Sequence, residues 1–140
     1  MGGVFGCASR DNCVTDLFYG TDYHSHLGTR RGGLAVRNSS GIKRKIHSLE
    51  NAYFRSKFES DLADLHGRQG IGVISDHEDQ PILMRSHLGT FGLVTVSKII
   101  NIEELAEIAL KRKQHFSELS PIGINPTELV AMLICEQDSF

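Results

Sequence analysis

Residues 26–36 read HLGTRRGGLAV, from His26 to Val36. Gly28, Gly32 and Gly33 surround the pair Arg30-Arg31, and the apolar run Leu34-Ala35-Val36 follows at once. Glycine is the usual residue where the backbone must bend, and a short apolar run after a turn suits a strand. The stretch therefore predicts a turn over residues 28–33 that leads into a strand over 34–37. Residues 38–41 (NSSG) carry turn chemistry. Residues 42–47 alternate apolar and basic, the pattern of a half-exposed strand.

Working outward, residues 3–9 read as a short buried strand. Asp11 or Asn12 can cap a helix that runs through Val14, Leu17, Phe18 and Tyr23. Downstream, Ala52, Phe54, Phe58, Leu62 and Leu65 recur near helical spacing and predict a helix over residues 50–66. Gly67 then stands where a helix-ending glycine would. Residues 71–75 read as a strand, 76–80 (DHEDQ) as a solvated acidic loop. Residues 81–87 and 91–99 read as two strands joined around Leu88, Gly89 and Thr90. A helix starts at Asn101, with Glu103 and Glu104 at the positive end of its dipole and Ile102, Leu105, Ile108 and Ala109 as its apolar face. A last helix starts at Asn125, with Pro126 in its first position and Glu128 placed for a capping box. Strands outnumber helices and come in adjacent runs, which predicts an α+β fold with antiparallel pairing.

Composition narrows the function classes. The chain has 140 residues, with 40% hydrophobic and 23% charged residues, enough for one ordinary domain with a core. A net charge of −2 argues against a broad nucleic-acid or anionic-membrane surface. The three cysteines, Cys7, Cys13 and Cys135, are odd in number and match no zinc spacing, so a reduced, cytoplasmic setting is expected. No apolar run approaches a membrane span, and the start carries no signal-peptide pattern. Gly2 alone does not make a myristoylation site, since that motif wants Ser or Thr where Gly6 stands.

Four segments in order carry a family resemblance. Met1-Gly2-Gly3-Val4-Phe5-Gly6 resembles the start of class II glutamine amidotransferases, Met-Cys-Gly-Ile-Val-Gly. The stretch from His26 to Val36 aligns without gaps to the family's His-Arg-Gly-Gln-Asp-Ser-Ala-Gly-Ile-Ala-Val. Gly70-Ile71-Gly72 and Gln80-Pro81 resemble its Gly-Ile-Gly-His strand and the Gln-Pro beyond it. Residues 93–105 resemble its strand, Gly-Asn turn and helix start. Within the family the chain looks most like the N-terminal domain of amidophosphoribosyltransferases, in a divergent group that also lacks the leading cysteine. The resemblance implies an N-terminal nucleophile hydrolase-like fold, with two stacked antiparallel sheets between helical layers (αββα). It also implies purine nucleotide synthesis as the setting and a downstream phosphoribosyltransferase-like domain as the partner. Residues 1–140 would be one glutamine amidotransferase-like domain, cut short at its C-terminal end.

In active members the free amine of a processed N-terminal cysteine activates the thiol, which attacks the glutamine amide. An arginine holds the substrate carboxylate and an Asn-Gly turn forms the oxyanion hole. This chain departs at each position. Gly2 replaces the cysteine, Leu27 the arginine, and Ser97-Lys98 the Gly-Asn turn; Val73 and Ser75 stand for His and Arg. The resemblance therefore implies a pseudoenzyme whose vestigial pocket is Gly2, Leu27, Arg30, Arg31, Ser97 and Lys98, with no catalytic residue, no cofactor and no metal. Its role would be structural or regulatory, in a homo-oligomer, with no nucleic-acid or membrane partner.

Two other readings stay open on the sequence. Cys7 becomes an N-terminal nucleophile if residues 1–6 are removed, against the plain reading of a small buried residue on the first strand. Arg30, Arg31 and Lys98 bind a small anionic metabolite or glutamine, against the plain reading of a solvated basic turn. The remaining clusters read as structure. His24 and His26, with Cys13 or Asp22, are surface or capping residues rather than metal ligands. Lys43, Arg44 and Lys45 form a charged strand edge. Phe54, Phe58, Leu62 and Leu65 are core.

Overall fold

The computed structural model describes residues 2–28, 30–120 and 123–140. Its centre is a four-stranded antiparallel sheet in the order β1-β4-β2-β3, from Gly3–Ala8 (β1), Arg31–Asn38 (β2), Gly41–Ser48 (β3) and Gln69–Ser75 (β4). Helix α1 (Val14–Tyr23) lies on one face, followed by a 3₁₀ turn at Ser25–Leu27. Short α2 (Phe54–Phe58) and a 3₁₀ segment (Glu59–Asp64) lie on the same side. The hairpin β5 (Ile82–Ser86) and β6 (Gly89–Leu93) covers the other face. Helix α4 (Pro126–Cys135) packs on β5, and α3 (Ile102–Lys111) packs on α4. The layers run helix, sheet, hairpin, helix, which is the expected α+β arrangement of stacked antiparallel sheets. A two-residue pair, β7 (Leu119–Ser120) with β8 (Gly123–Ile124), was not expected from the sequence.

The core lies between α1, α2 and the sheet. Leu17, Phe18, Leu34, Val36, Phe54, Phe58, Leu65 and Ile74 are buried together, with Leu62 packed against them. Phe54 stacks on Phe58 at 4.4 Å and meets Phe18 at 5.6 Å. Glycines let α1 come close to the strands: a methyl group on Gly72 would lie 1.9 Å from the Thr21 hydroxyl. The expected core residues of the 50–66 stretch are thus in place.

Several expected boundaries move, each for a local reason. Residues 28–33 are not a turn throughout, because Gly32 and Gly33 sit in the β2 ladder opposite Ile74 and Val73. Their value is space: a methyl group on Gly33 would lie 1.7 Å from the Gln80 carbonyl oxygen. The 50–66 helix shortens to α2 plus 3₁₀ turns. Its start is blocked because Leu49 N–H donates to the Arg30 carbonyl and Glu50 N–H to the Ser48 hydroxyl. Gly67 does not end that helix; its N–H donates to Asn12 Oδ1 at 3.0 Å, and a methyl group there would lie 2.2 Å from the Arg37 oxygen. Asn12 is therefore spent on Gly67, and Cys13 occupies the start of α1 with no side-chain cap. Tyr23 at the other end of α1 is exposed rather than packed.

In α3 the buried residues are Ala106 and Ala109, and Ile108 faces out. Asn125 caps α4 as expected, accepting from the N–H groups of Thr127 and Glu128. Glu128 does not close a capping box. Its carboxylate accepts instead from Ser117 N–H, Ser117 Oγ and Glu118 N–H at 2.8–2.9 Å, which ties the chain after α3 to α4.

The basic run on edge strand β3 is paired rather than simply exposed. Lys45 reaches Asp61 at 3.1 Å and Asp64 at 3.3 Å, and His47 Nε2 lies 2.5 Å from Asp61. Arg44 donates to the Pro81 carbonyl at 3.0 Å. Burial alone would raise the Asp61 carboxyl, but hydrogen bonds and charge from His47 and Lys45 outweigh it and hold it below its ordinary value. A carboxyl lowered in the folded state contributes stability that is complete above its unfolded value and lost as pH falls through the folded one. Stability should therefore fall below about pH 3.8, the ordinary value of this group. Urea titrations across pH 2–6 should show a shallower acid limb in Asp61→Asn than in the parent. Acid limbs of equal slope would contradict the assignment.

Candidate functional site

The site is built where β4 ends. Beyond Ser75 the chain loops through residues 76–80, and Ser75 Oγ donates to the Glu78 carbonyl at 2.8 Å, closing that loop. Gln80 is buried, contrary to the reading of the whole DHEDQ segment as solvated. Its Oε1 accepts from Thr95 N–H at 2.7 Å and its Nε2 donates to the Thr95 carbonyl at 3.0 Å. These two bonds take both backbone groups of Thr95 and explain why the expected 91–99 strand stops at Leu93. Thr95 Oγ1 meets Thr127 Oγ1 at 2.6 Å, and Asn125 Nδ2 donates to the Asp79 carbonyl at 3.2 Å. Loop 76–80, residues 94–98 and the start of α4 are thus one hydrogen-bonded unit, with no buried side-chain N or O left without a partner among the described residues.

This unit walls two adjoining clefts. The smaller, about 300 Å³, is lined by Gly2, Ser75, Thr95, Ser97 and Lys98 among others. The larger, about 660 Å³, shares His77, Glu78, Ser97 and Lys98 and continues along Ile99, Ile102, Glu103, Ile124 and Pro126. Of the six residues named from the sequence, the structure brings together Gly2, Ser97 and Lys98. Leu27 lies in the 3₁₀ turn after α1 and lines neither cleft. Arg30 is exposed, with its carbonyl held by Leu49. Arg31 pairs through Nε with Asp79 at 2.9 Å. Neither Arg30 nor Arg31 lines either cleft, whereas Lys98 lines both.

Gly2 sits against the end of β4. A methyl group built on it would lie 2.3 Å from the Ile74 carbonyl oxygen and 3.3 Å from Val96 Cγ2. Any side chain at this position requires the backbone to shift. Cys7, the other nucleophile candidate, is half-buried on β1, with its Sγ 3.8 Å from the Cys13 carbonyl. Burial, reinforced by Cys13 and the negative charge of Asp16, pushes its thiol up to about 12, so it is a thiol and not a thiolate at neutral pH. Asp22, near His24 and His26 in sequence, is held by Arg55 at 2.7 Å, and Cys13 is buried at the other end of α1. No group of three or more His, Cys, Asp or Glu able to hold a metal occurs among the described residues. No helix among them is long and apolar enough to cross a membrane.

The lining residues that the sequence did not point to are His77, Glu78, Ile99, Ile102, Glu103 and Ile124. Ile99, Ile102 and Glu103 fall within the family-matching segment 93–105, whereas His77, Glu78 and Ile124 lie outside every matching segment. The tertiary bond from Gln80 to Thr95 is what gathers them.

The architecture defines the class of fold: helix layers around stacked antiparallel sheets, with a two-part cleft at the end of the central strands. Solved structures share it. The allosteric regulatory enzyme of purine biosynthesis matches over the whole of this chain with a TM-score of 0.83 and 20% identity. Glutamine phosphoribosylpyrophosphate amidotransferase from B. subtilis, complexed with ADP and GMP, matches equally, with a TM-score of 0.83 and 20% identity. The chain spans 30% of the length of each. No protein-family model matches the sequence, and no curated protein matches it. The likeness establishes the fold.

Gln80 is the side chain that fixes both clefts. Gln80→Leu keeps the volume but leaves the Thr95 N–H and C=O without partners, and should lower unfolding stability by about 2–4 kcal/mol in urea titration. Faster hydrogen exchange at residues 94–98 should accompany it. An unchanged midpoint would show that Thr95 is held by something else.

Proposed function

We propose that this chain is a glutamine amidotransferase-like domain, related to the N-terminal part of amidophosphoribosyltransferases, that does not hydrolyse glutamine. The observation that carries the reading is at Gly2. The residue in the nucleophile's place has no side chain, and the Ile74 carbonyl oxygen occupies the space a side chain would need. The losses around it point the same way. Leu27 offers no bidentate anchor for a substrate carboxylate, and Ser97-Lys98 stands where the oxyanion turn would be.

The remaining role is structural or regulatory. The domain would pack on a phosphoribosyltransferase-like domain of the same protein, in a cytoplasmic homo-oligomer of a purine-synthesis transferase that draws its nitrogen from another donor. The alternative in which Cys7 serves as nucleophile is disfavoured because it needs residues 1–6 removed, and Gly3, Val4, Phe5 and Gly6 are paired along β4 in the central sheet. The anion-sensor reading built on Arg30, Arg31 and Lys98 is disfavoured because Arg31 already holds Asp79.

Glutamate release from glutamine by the purified chain tests this reading. The expected result is no release above the buffer blank, with Cys7→Ala indistinguishable from the parent. Release that disappears in Cys7→Ala would overturn it and make Cys7 the working nucleophile.

A further inference from the structure

The larger cleft has a composition that the loss of glutaminase chemistry does not explain. One wall is aliphatic, formed by Ile99, Ile102 and Ile124. Lys98, Glu78 and Glu103 also line it, one cation and two carboxylates. None of these three side chains has a hydrogen-bond or ion-pair partner among the described residues. Opposite charges left uncombined around one apolar hollow fit a ligand that brings both complements with it. A volume of about 660 Å³ falls in the range of small-molecule sites and exceeds what a single anion would fill.

We propose that this cleft binds a small zwitterion with an aliphatic body, an apolar amino acid or a short apolar peptide. Lys98 takes the carboxylate, Glu78 and Glu103 take the ammonium group, and the isoleucines receive the side chain. A purely anionic ligand would face two carboxylates, and a purely cationic one would face Lys98. A glutamine-like side chain would bring its amide against the isoleucine wall at a desolvation cost that an aliphatic side chain does not carry. The inference goes beyond the loss of glutaminase activity and rests on the cleft lining alone. A failure of one leaves the other standing, because glutamate release and ligand binding are read separately.

Calorimetric titration of the full chain with L-leucine, the dipeptide Leu-Leu, N-acetyl-L-leucine, L-leucinamide and inorganic phosphate tests it. Leucine or Leu-Leu should bind, and the tighter of the two identifies the source as free amino acid or peptide. Blocking either end of leucine should weaken binding about tenfold or more. Lys98→Met should weaken leucine by about the same factor while leaving leucinamide unchanged, and Glu78→Gln with Glu103→Gln should do the converse for N-acetyl-leucine. The exposed Lys98 and Glu103 can change without disturbing the core, and circular dichroism confirms that each variant is folded. Phosphate or N-acetyl-leucine binding as tightly as leucine would overturn the proposal. So would the absence of heat from every probe at millimolar concentration with the folded chain.

Discussion

The Gln80 side chain joins the two halves of this structure. Its backbone carbonyl lies on the bare surface of Gly33 in the central sheet, where any side chain would collide with it. Its amide holds both backbone groups of Thr95, and Thr95 in turn meets Thr127 at the start of α4. A buried amide that satisfies a strand end in this way is costly to remove and specific in direction. The position of residues 94–98, and with them both clefts, follows from that contact. So does the seating of α4, since Asn125 caps the helix with its oxygen and holds the Asp79 carbonyl with its nitrogen.

None of these supports involves the residues that glutaminase chemistry would need. The sheet rests on the Leu17, Phe18, Phe54 and Phe58 core and on glycines that admit α1. The cleft rests on Gln80, Thr95 and Asn125. Leu27 and Ser97 take no part in these supports, whereas Gly2 is held to its small size by the Ile74 carbonyl. At 20% identity to those solved structures the chain keeps the same architecture.

What was legible in the sequence and what was not divide along physical lines. Local signals worked where one element settles its own geometry: the NSSG turn between β2 and β3, the strand over residues 71–75, and Asn125-Pro126 at the start of α4. They failed where a distant partner takes over a local group. Asn12 looked like a helix cap, but Gly67 claims its oxygen. Glu128 looked like half of a capping box, but Ser117 and Glu118 claim its carboxylate. Periodicity over residues 50–66 marked the buried phenylalanines correctly but not the helix length, because Ser48 and Arg30 hold the entry to α2. At the site, the resemblance pointed to Gly2, Ser97 and Lys98, which do meet. It also pointed to Arg31, whose engagement with Asp79 no sequence pattern reveals.

The proposed replacement of the catalytic parts together means that restoring one does not restore the reaction. Gly2→Cys, prepared with Met1 removed so that the cysteine carries a free amine, puts this to a direct test. The account predicts no glutamate release from glutamine, because the side chain meets the Ile74 carbonyl and neither Leu27 nor Ser97-Lys98 supplies the missing anchor or oxyanion turn. Glutamate release by that variant would contradict it, and would mean that a working amidotransferase pocket stands behind a single missing thiol.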